Sequence, residues 1–124
     1  MRLVQQQHGL GHGEIRYIKE IKQNPALCLS VRTFGTLVAM DGTGFTLEHD
    51  GERAKIDGSH LAENIALRQG SLYMVIGEVQ SQQQVPCVRA RVARNVDGMD
   101  VHLFQEALKV RRKFAQSFMP AHGR

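Results

Sequence analysis

The chain has 124 residues, 42% of them hydrophobic and 23% charged, and a formal charge of +4. That length fits one domain able to bury a core of its own. No apolar run reaches the roughly 20 residues that cross a bilayer, and the opening MRLVQQQHGLGHG lacks the long apolar segment of a secretory signal. Charge is unevenly placed: Met1 to Cys87 carries eight basic and nine acidic residues, Val88 to Arg124 eight basic and three acidic. A polyanion would therefore meet the C-terminal portion first. Cys28 and Cys87 lie far apart and form no C-x-x-C pair. They read as reduced thiols serving as small core groups, in a cytosolic or nuclear protein.

Residues 1–13, with their glutamine run and alternating glycines and histidines, read as a flexible opening segment. Glu14 to Ile21, EIRYIKEI, mixes three isoleucines with Tyr17 and leaves open a short turn of helix or an irregular strand. From Cys28 to Met40 a long first strand sets Leu29, Val31, Thr33, Gly35 and Leu37 against Ser30, Arg32, Phe34, Thr36 and Val38, with Gly35 relieving crowding at a bend. The turns at Asp41–Gly44 and Asp50–Glu52 separate it from strands at Phe45–His49 and Arg53–Ile56. SHLAENIALRQG then predicts a short helix around Leu61 to Ile65. Leu72 to Val79 is the fourth strand, with Gly77 at a bulge or tight bend, and Val88 to Val96 the fifth, with Val88, Ala90 and Val92 on one face and Arg89 and Arg91 on the other. These elements predict an all-β fold: a five-stranded OB-fold Greek-key barrel, with a short helix between strands three and four and a C-terminal amphipathic helix.

That terminal helix, about 101–118, is capped by Asp100. Val101, Phe104, Ala107 and Leu108 lie on one side, and Leu103, Val110, Phe114 and Phe118 broaden the apolar surface. Lys109, Arg111, Arg112 and Lys113 make a basic edge, and Pro120 with Gly123 makes a stop, so the domain is expected over 14–119 with a flexible tail at 120–124. So broad a belt either caps its own core or packs against a partner.

No catalytic, cofactor-binding or metal-ligating set emerges. The glycines fail the Walker spacing, neither a dinucleotide fingerprint nor H-E-x-x-H is present, and Ser59-His60 is adjacency without a triad. His8 and His12 have ligand-like spacing but no further ligands beside them. For single-stranded nucleic acid, Arg32, Phe34, Arg53, Lys55, Tyr73, Arg89 and Arg91 form a candidate set, the cations for phosphates and the rings for stacking. An autonomous nucleic-acid-binding module and an adaptor without DNA contact are the two competing readings.

Ser71 to Phe114, SLYMVIGEVQSQQQVPCVRARVARNVDGMDVHLFQEALKVRRKF, resembles the TEN-one family, the smallest subunits of telomeric CST complexes, and plant members most of all; SVRTFGTL at Ser30–Leu37 and AKIDGSHL at Ala54–Leu61 continue the match over about Ile15 to Phe118. The resemblance implies a non-enzymatic nuclear OB-fold protein, located at the telomeric region of chromosomes and needing no cofactor. It implies direct pairing with the OB domain of the STN-one subunit, in a three-subunit complex with CTC-one. That complex binds single-stranded telomeric DNA, protects chromosome ends and assists DNA polymerase α-primase in filling in the complementary strand. By matching position, Val101, Phe104, Leu108, Arg111 and Arg112 are implied partner contacts, with Met99 and Asp100 setting the entry to the helix.

Overall fold

A computed structural model describes residues 14–24, 30–61, 65–80 and 85–123, with side chains in the last helix described as far as Ala115. In chain order the elements are β1 (Glu14–Ile15), α1 (Ile18–Gln23), β2 (Ser30–Asp41), β3 (Gly44–His49), β4 (Glu52–Asp57), β5 (Leu72–Val79), β6 (Cys87–Asn95) and α2 (Val101–Gly123). The strands form one six-stranded mixed sheet in the order β1-β2-β3-β4-β6-β5. β1–β2 and β4–β6 are parallel, and the other neighbours antiparallel. The first half of β2 also pairs with β5, Ser30 opposite Glu78 through Thr36 opposite Leu72. One strand thus serves three neighbours, β1, β3 and β5, and Gly35 lies close against β3: a Cβ there would stand 2.8 Å from the Glu48 carbonyl oxygen.

The inward faces follow the period-two pattern. Val31 and Leu37 of β2, Phe45 and Leu47 of β3, Ala54 and Ile56 of β4, Tyr73 and Val75 of β5, and Val88 and Ala90 of β6 make the core, and Ile18 and Ile21 of α1 close it.

The expected five-stranded barrel with a helix between its third and fourth strands is corrected on two counts. The sheet has a sixth strand, because Glu14–Ile15 pairs with Val31–Arg32 and the Arg16 N–H continues the ladder to the Arg32 carbonyl. The short helix stands at Ile18–Gln23, ahead of β2. Residues 62–64 of the helix expected around Leu61 to Ile65 lie outside the described residues, and among those described between β4 and β5 there is no helix. Asp57 accepts from the Ser59 N–H and hydroxyl, turning the chain, while the Tyr73 hydroxyl donates to the Ala66 carbonyl and accepts from the Arg68 N–H. Backbone groups that a helix would use internally are spent on a side chain of β5.

The fifth-strand pattern is also altered. A bulge lies between Ile76 and Gly77, where Ile76 faces Val92 but Gly77 faces Ala90. Arg91 is the extra residue, so Val92 turns outward and Ala93 packs towards the core instead. The last helix runs on through Pro120 to Gly123 rather than stopping near Phe118.

Candidate functional site

α2 begins where the Asp100 carboxylate accepts from the Leu103 N–H at 3.0 Å and the Asp100 carbonyl from the Phe104 N–H at 2.9 Å. Before it, Asp97 accepts from the Leu72 N–H at 2.7 Å, tying the turn to β5; that bond first, and those from Ser71 and Asn95, hold the Asp97 carboxyl below its usual range.

The helix has two apolar faces with different fates. Phe104, Leu108 and Arg112 form a row one turn apart directed at the protein itself. The Phe104 ring meets Phe34 edge-on at 5.3 Å, and Phe34 in turn touches His49 at 4.7 Å and Tyr17 at 6.0 Å. Tyr17 and His49 are stacked at 5.8 Å, and Gln105 Nε2 lies 3.2 Å from His49 Nε2. Phe34 lies on the face of β2 opposite Val31 and Leu37, and this cluster of rings fixes the helix over it.

Arg112 completes the attachment. Its guanidinium donates to both Glu20 carboxylate oxygens, at 2.9 and 3.0 Å, and to the Ile15 carbonyl at 2.8 Å, while standing 5.4 Å over the Tyr17 ring. Burial alone would raise the Glu20 carboxyl, but the Arg112 bonds and that from the Tyr17 N–H outweigh it and hold the pKa below the ordinary value. The Glu20 hydrogen bond raises Arg112 correspondingly, and burial raises the Tyr17 phenol.

The other face points to solvent. Leu103, Val110 and Phe114 recur at the spacing of one helical stripe and are 63%, 65% and 61% exposed, with exposed Ala107 between them. Of the implied partner contacts, Phe104 and Arg112 are half-buried and Leu108 is buried, all in the row beneath the helix; Val101 and Met99 are half-buried at its start; Arg111 is exposed between the two faces. A helical wheel separates the two stripes, but only the position of Phe34 tells which one lies down.

The nucleic-acid candidates do not converge on one surface. Tyr73 is in the core, 1% exposed, and Phe34 is fully buried on the opposite side of the sheet, beneath α2. The pairing of Gly35 with Tyr73 and of Phe34 with Met74 sends the two rings to opposite faces. Neither can stack on a base. Arg53 and Lys55 are on the outer face of β4, Arg53 bonded to Glu48 at 3.2 Å. Arg89 stands beside Asp57 and Glu78 in the ladders, and Arg91 bonds Glu78 at 2.8 Å. Arg32 is on the outer face of β2, opposite Ile76. Lys55 and Arg89 are therefore brought near one another, with carboxylates interleaved, and Arg32 belongs to a separate groove.

Among the described residues no group of three or more His, Cys, Asp or Glu is placed to hold a metal, and no helix is long and apolar enough to cross a membrane. Cys87 is a free, half-buried thiol whose pKa burial raises. Cys28, His8 and His12 lie outside the described residues.

Residues 9–118 match the model of a family described as a telomere-capping, CST complex subunit. The chain is 33% identical over 70 residues to the CST complex subunit TEN1 of Arabidopsis thaliana, covering 55% of this chain and 54% of that protein, so the match spans about half the plant relative's length. It is 34% identical over 93 residues to the human CST complex subunit TEN1, covering 70% of this chain and 76% of the relative. In fold it is similar to a chain in the crystal structure of the S. pombe Stn1–Ten1 complex, with a TM-score of 0.68 at 13% identity over 82% of this chain and 92% of that one.

Proposed function

Because this chain belongs to the family of telomere-capping CST complex subunits, we propose that it is the small OB-fold member of a nuclear, telomere-bound complex and works by docking on an Stn1-like partner. The observation that carries this reading is the exposed stripe of Leu103, Val110 and Phe114, on a helix whose opposite side is already seated on Phe34. A helix held in place before binding loses little conformational freedom on association, so burying the stripe translates efficiently into affinity. Phe104, Leu108 and Arg112 position the helix from beneath, while Arg111 is free to meet a partner carboxylate at the rim. Met99, Asp100 and Val101 set where the helix starts.

With both aromatic candidates buried, the chain has no stacking platform built from them, and its DNA contribution is electrostatic: Lys55 and Arg89 attract phosphates once the partner has brought the strand near. We extend the assembly to a large CTC-one-type subunit and its work to chromosome-end protection and fill-in by DNA polymerase α-primase, as the family resemblance implies.

The test is light scattering after size-exclusion chromatography of the chain mixed with an Stn1-like OB domain, with thermal melts of each variant. Val110→Asp is expected to weaken the 1:1 complex at least about tenfold while the free chain melts as before. Phe104→Ala is expected to lower the melting temperature. A complex that tolerates Leu103→Asp and Val110→Asp together would overturn docking through this stripe.

A further inference from the structure

Charge is divided along α2 as sharply as burial is divided around it. Residues 101–108 hold Glu106 and neither lysine nor arginine, while residues 109–113 hold Lys109, Arg111, Arg112 and Lys113. The exposed stripe runs through both halves. Leu103, Ala107, Val110 and Phe114 recur at intervals of four, three and four residues, the spacing at which one helix packs along another. Glu106 and Lys113, two turns apart, flank the stripe along the same edge, and both are exposed. Glu106 bonds Lys109 at 3.3 Å, but a pair between exposed groups on one helix is exchanged at little cost.

These features are self-complementary when two copies of α2 run in opposite directions. About a two-fold axis beside Leu108 and Lys109, Leu103 of each copy meets Phe114 of the other and Ala107 meets Val110, so small Ala107 lets the helices approach at the centre while the larger groups close the ends. Glu106 of each copy falls beside Lys113 of the other. The basic half of each helix then lies along the half that carries Glu106, and the helix dipoles oppose. Parallel pairing does the reverse, gathering the four cations of each copy at one end and setting Ala107 against Ala107. The rest of the chain stands clear, because Phe104, Leu108 and Arg112 hold the sheet and α1 on the side of the helix away from the stripe. We propose that the α2 stripe pairs, antiparallel, with the same stripe of a second copy of this chain, and that an Stn1-like partner displaces this copy. The proposal rests on the reading of the stripe as the partner's seat and adds a competitor for it, since both occupants cover Val110. Residues 103–114 span about 18 Å of helix, a contact smaller than stable interfaces use. The dimer is therefore weak and reversible, and it covers the apolar stripe when the partner is scarce.

The experiment is sedimentation equilibrium of the full chain over a wide range of concentrations, followed by addition of an Stn1-like OB domain. The chain should show a monomer–dimer equilibrium, and Val110→Asp should weaken it at least about tenfold. Glu106→Lys alone and Lys113→Glu alone should each weaken it about fivefold at low salt, and the two together should restore it, because the opposed pairs regain opposite sign. Parallel helices would set Glu106 against Arg111, and the double exchange would bring no rescue. Circular dichroism melts at concentrations where the chain is monomeric establish that the variants fold. A chain monomeric throughout, a dimer indifferent to Val110→Asp, or absence of rescue would each overturn the proposal. With the partner added, a 1:1 complex should form at the expense of the dimer; a species holding the partner and two copies of the chain would overturn the competition. Partner binding without self-association defeats this proposal alone, whereas self-association without partner binding defeats the docking reading and leaves the pairing standing.

Discussion

Glu20 shows how one carboxylate organises distant residues. It accepts from the Tyr17 N–H at the start of α1 and from Arg112 of α2, 92 positions along the chain. Its folded pKa lies below its unfolded value, so its contribution to stability is present above the unfolded pKa, near 4.3, and disappears as pH falls through the folded pKa. The pair is about one-third exposed, and solvent screening limits its value. Glu20→Gln should cost about 1 kcal/mol at pH 7 after that discount, with the difference from the parent chain closing below about pH 4. Urea titrations at pH 7 and pH 3 check this, and a difference that persists undiminished at pH 3 would refute the ionic account.

The β5–β6 bulge controls which side chains reach which surface. Gly77 sits at the register shift, and a Cβ there would run into the Arg89 carbonyl and the Ala90 backbone. The obstruction is backbone on the neighbouring strand, so no side-chain rotation relieves it. Gly77→Ala should therefore destabilise by about 2 kcal/mol or more, and a denaturant midpoint equal to the parent's would contradict this packing. A shift that realigned the strands would turn Val92 inward and Ala93 outward, exchanging what the core and the surface receive. The same economy holds in α2, where one helix seats Phe104 inward and presents Val110 outward, so that stability and association can be altered separately.

For the whole molecule, the C-terminal excess of basic residues is spread over several surfaces rather than gathered into one strip. Arg91 is bonded to Glu78, Lys109 to Glu106 and Arg112 to Glu20. With Phe34 and Tyr73 buried, single-strand binding by the free chain should be weak and strongly salt-dependent. Replacing Lys55 and Arg89 by Gln should lower the slope of log affinity against log salt by about one per residue, measured on the assembled complex with oligonucleotides of different base composition. A slope unchanged by both substitutions would remove these residues from the DNA path, and a strong base preference in the free chain would contradict an electrostatic role.

The alternation in β2 to β5, the glycine-bearing turns and the Asp100 cap are local in origin, so they were readable from residue order. The family was readable too, because a long run of matching residues identifies a fold without any knowledge of its contacts. The sixth strand was not: Glu14–Ile15 becomes a strand only because β2 leaves an edge beside Val31 and Arg32. The course of the chain just before β5 was hidden for a similar reason, since Tyr73 claims the backbone of Ala66 and Arg68 from outside that segment. Sequence alternation could show that Phe34 and Tyr73 belong to strands, but not that they point to opposite sides of a curved sheet, one into the core and one beneath α2. Residue order alone thus determined the strands, the capped amphipathic helix and the charge bias, which arise from near neighbours in the chain; tertiary structure decided which helical face is buried, which rings are lost to stacking and which arginines lack a partner, because those depend on what remote segments bring to the same place.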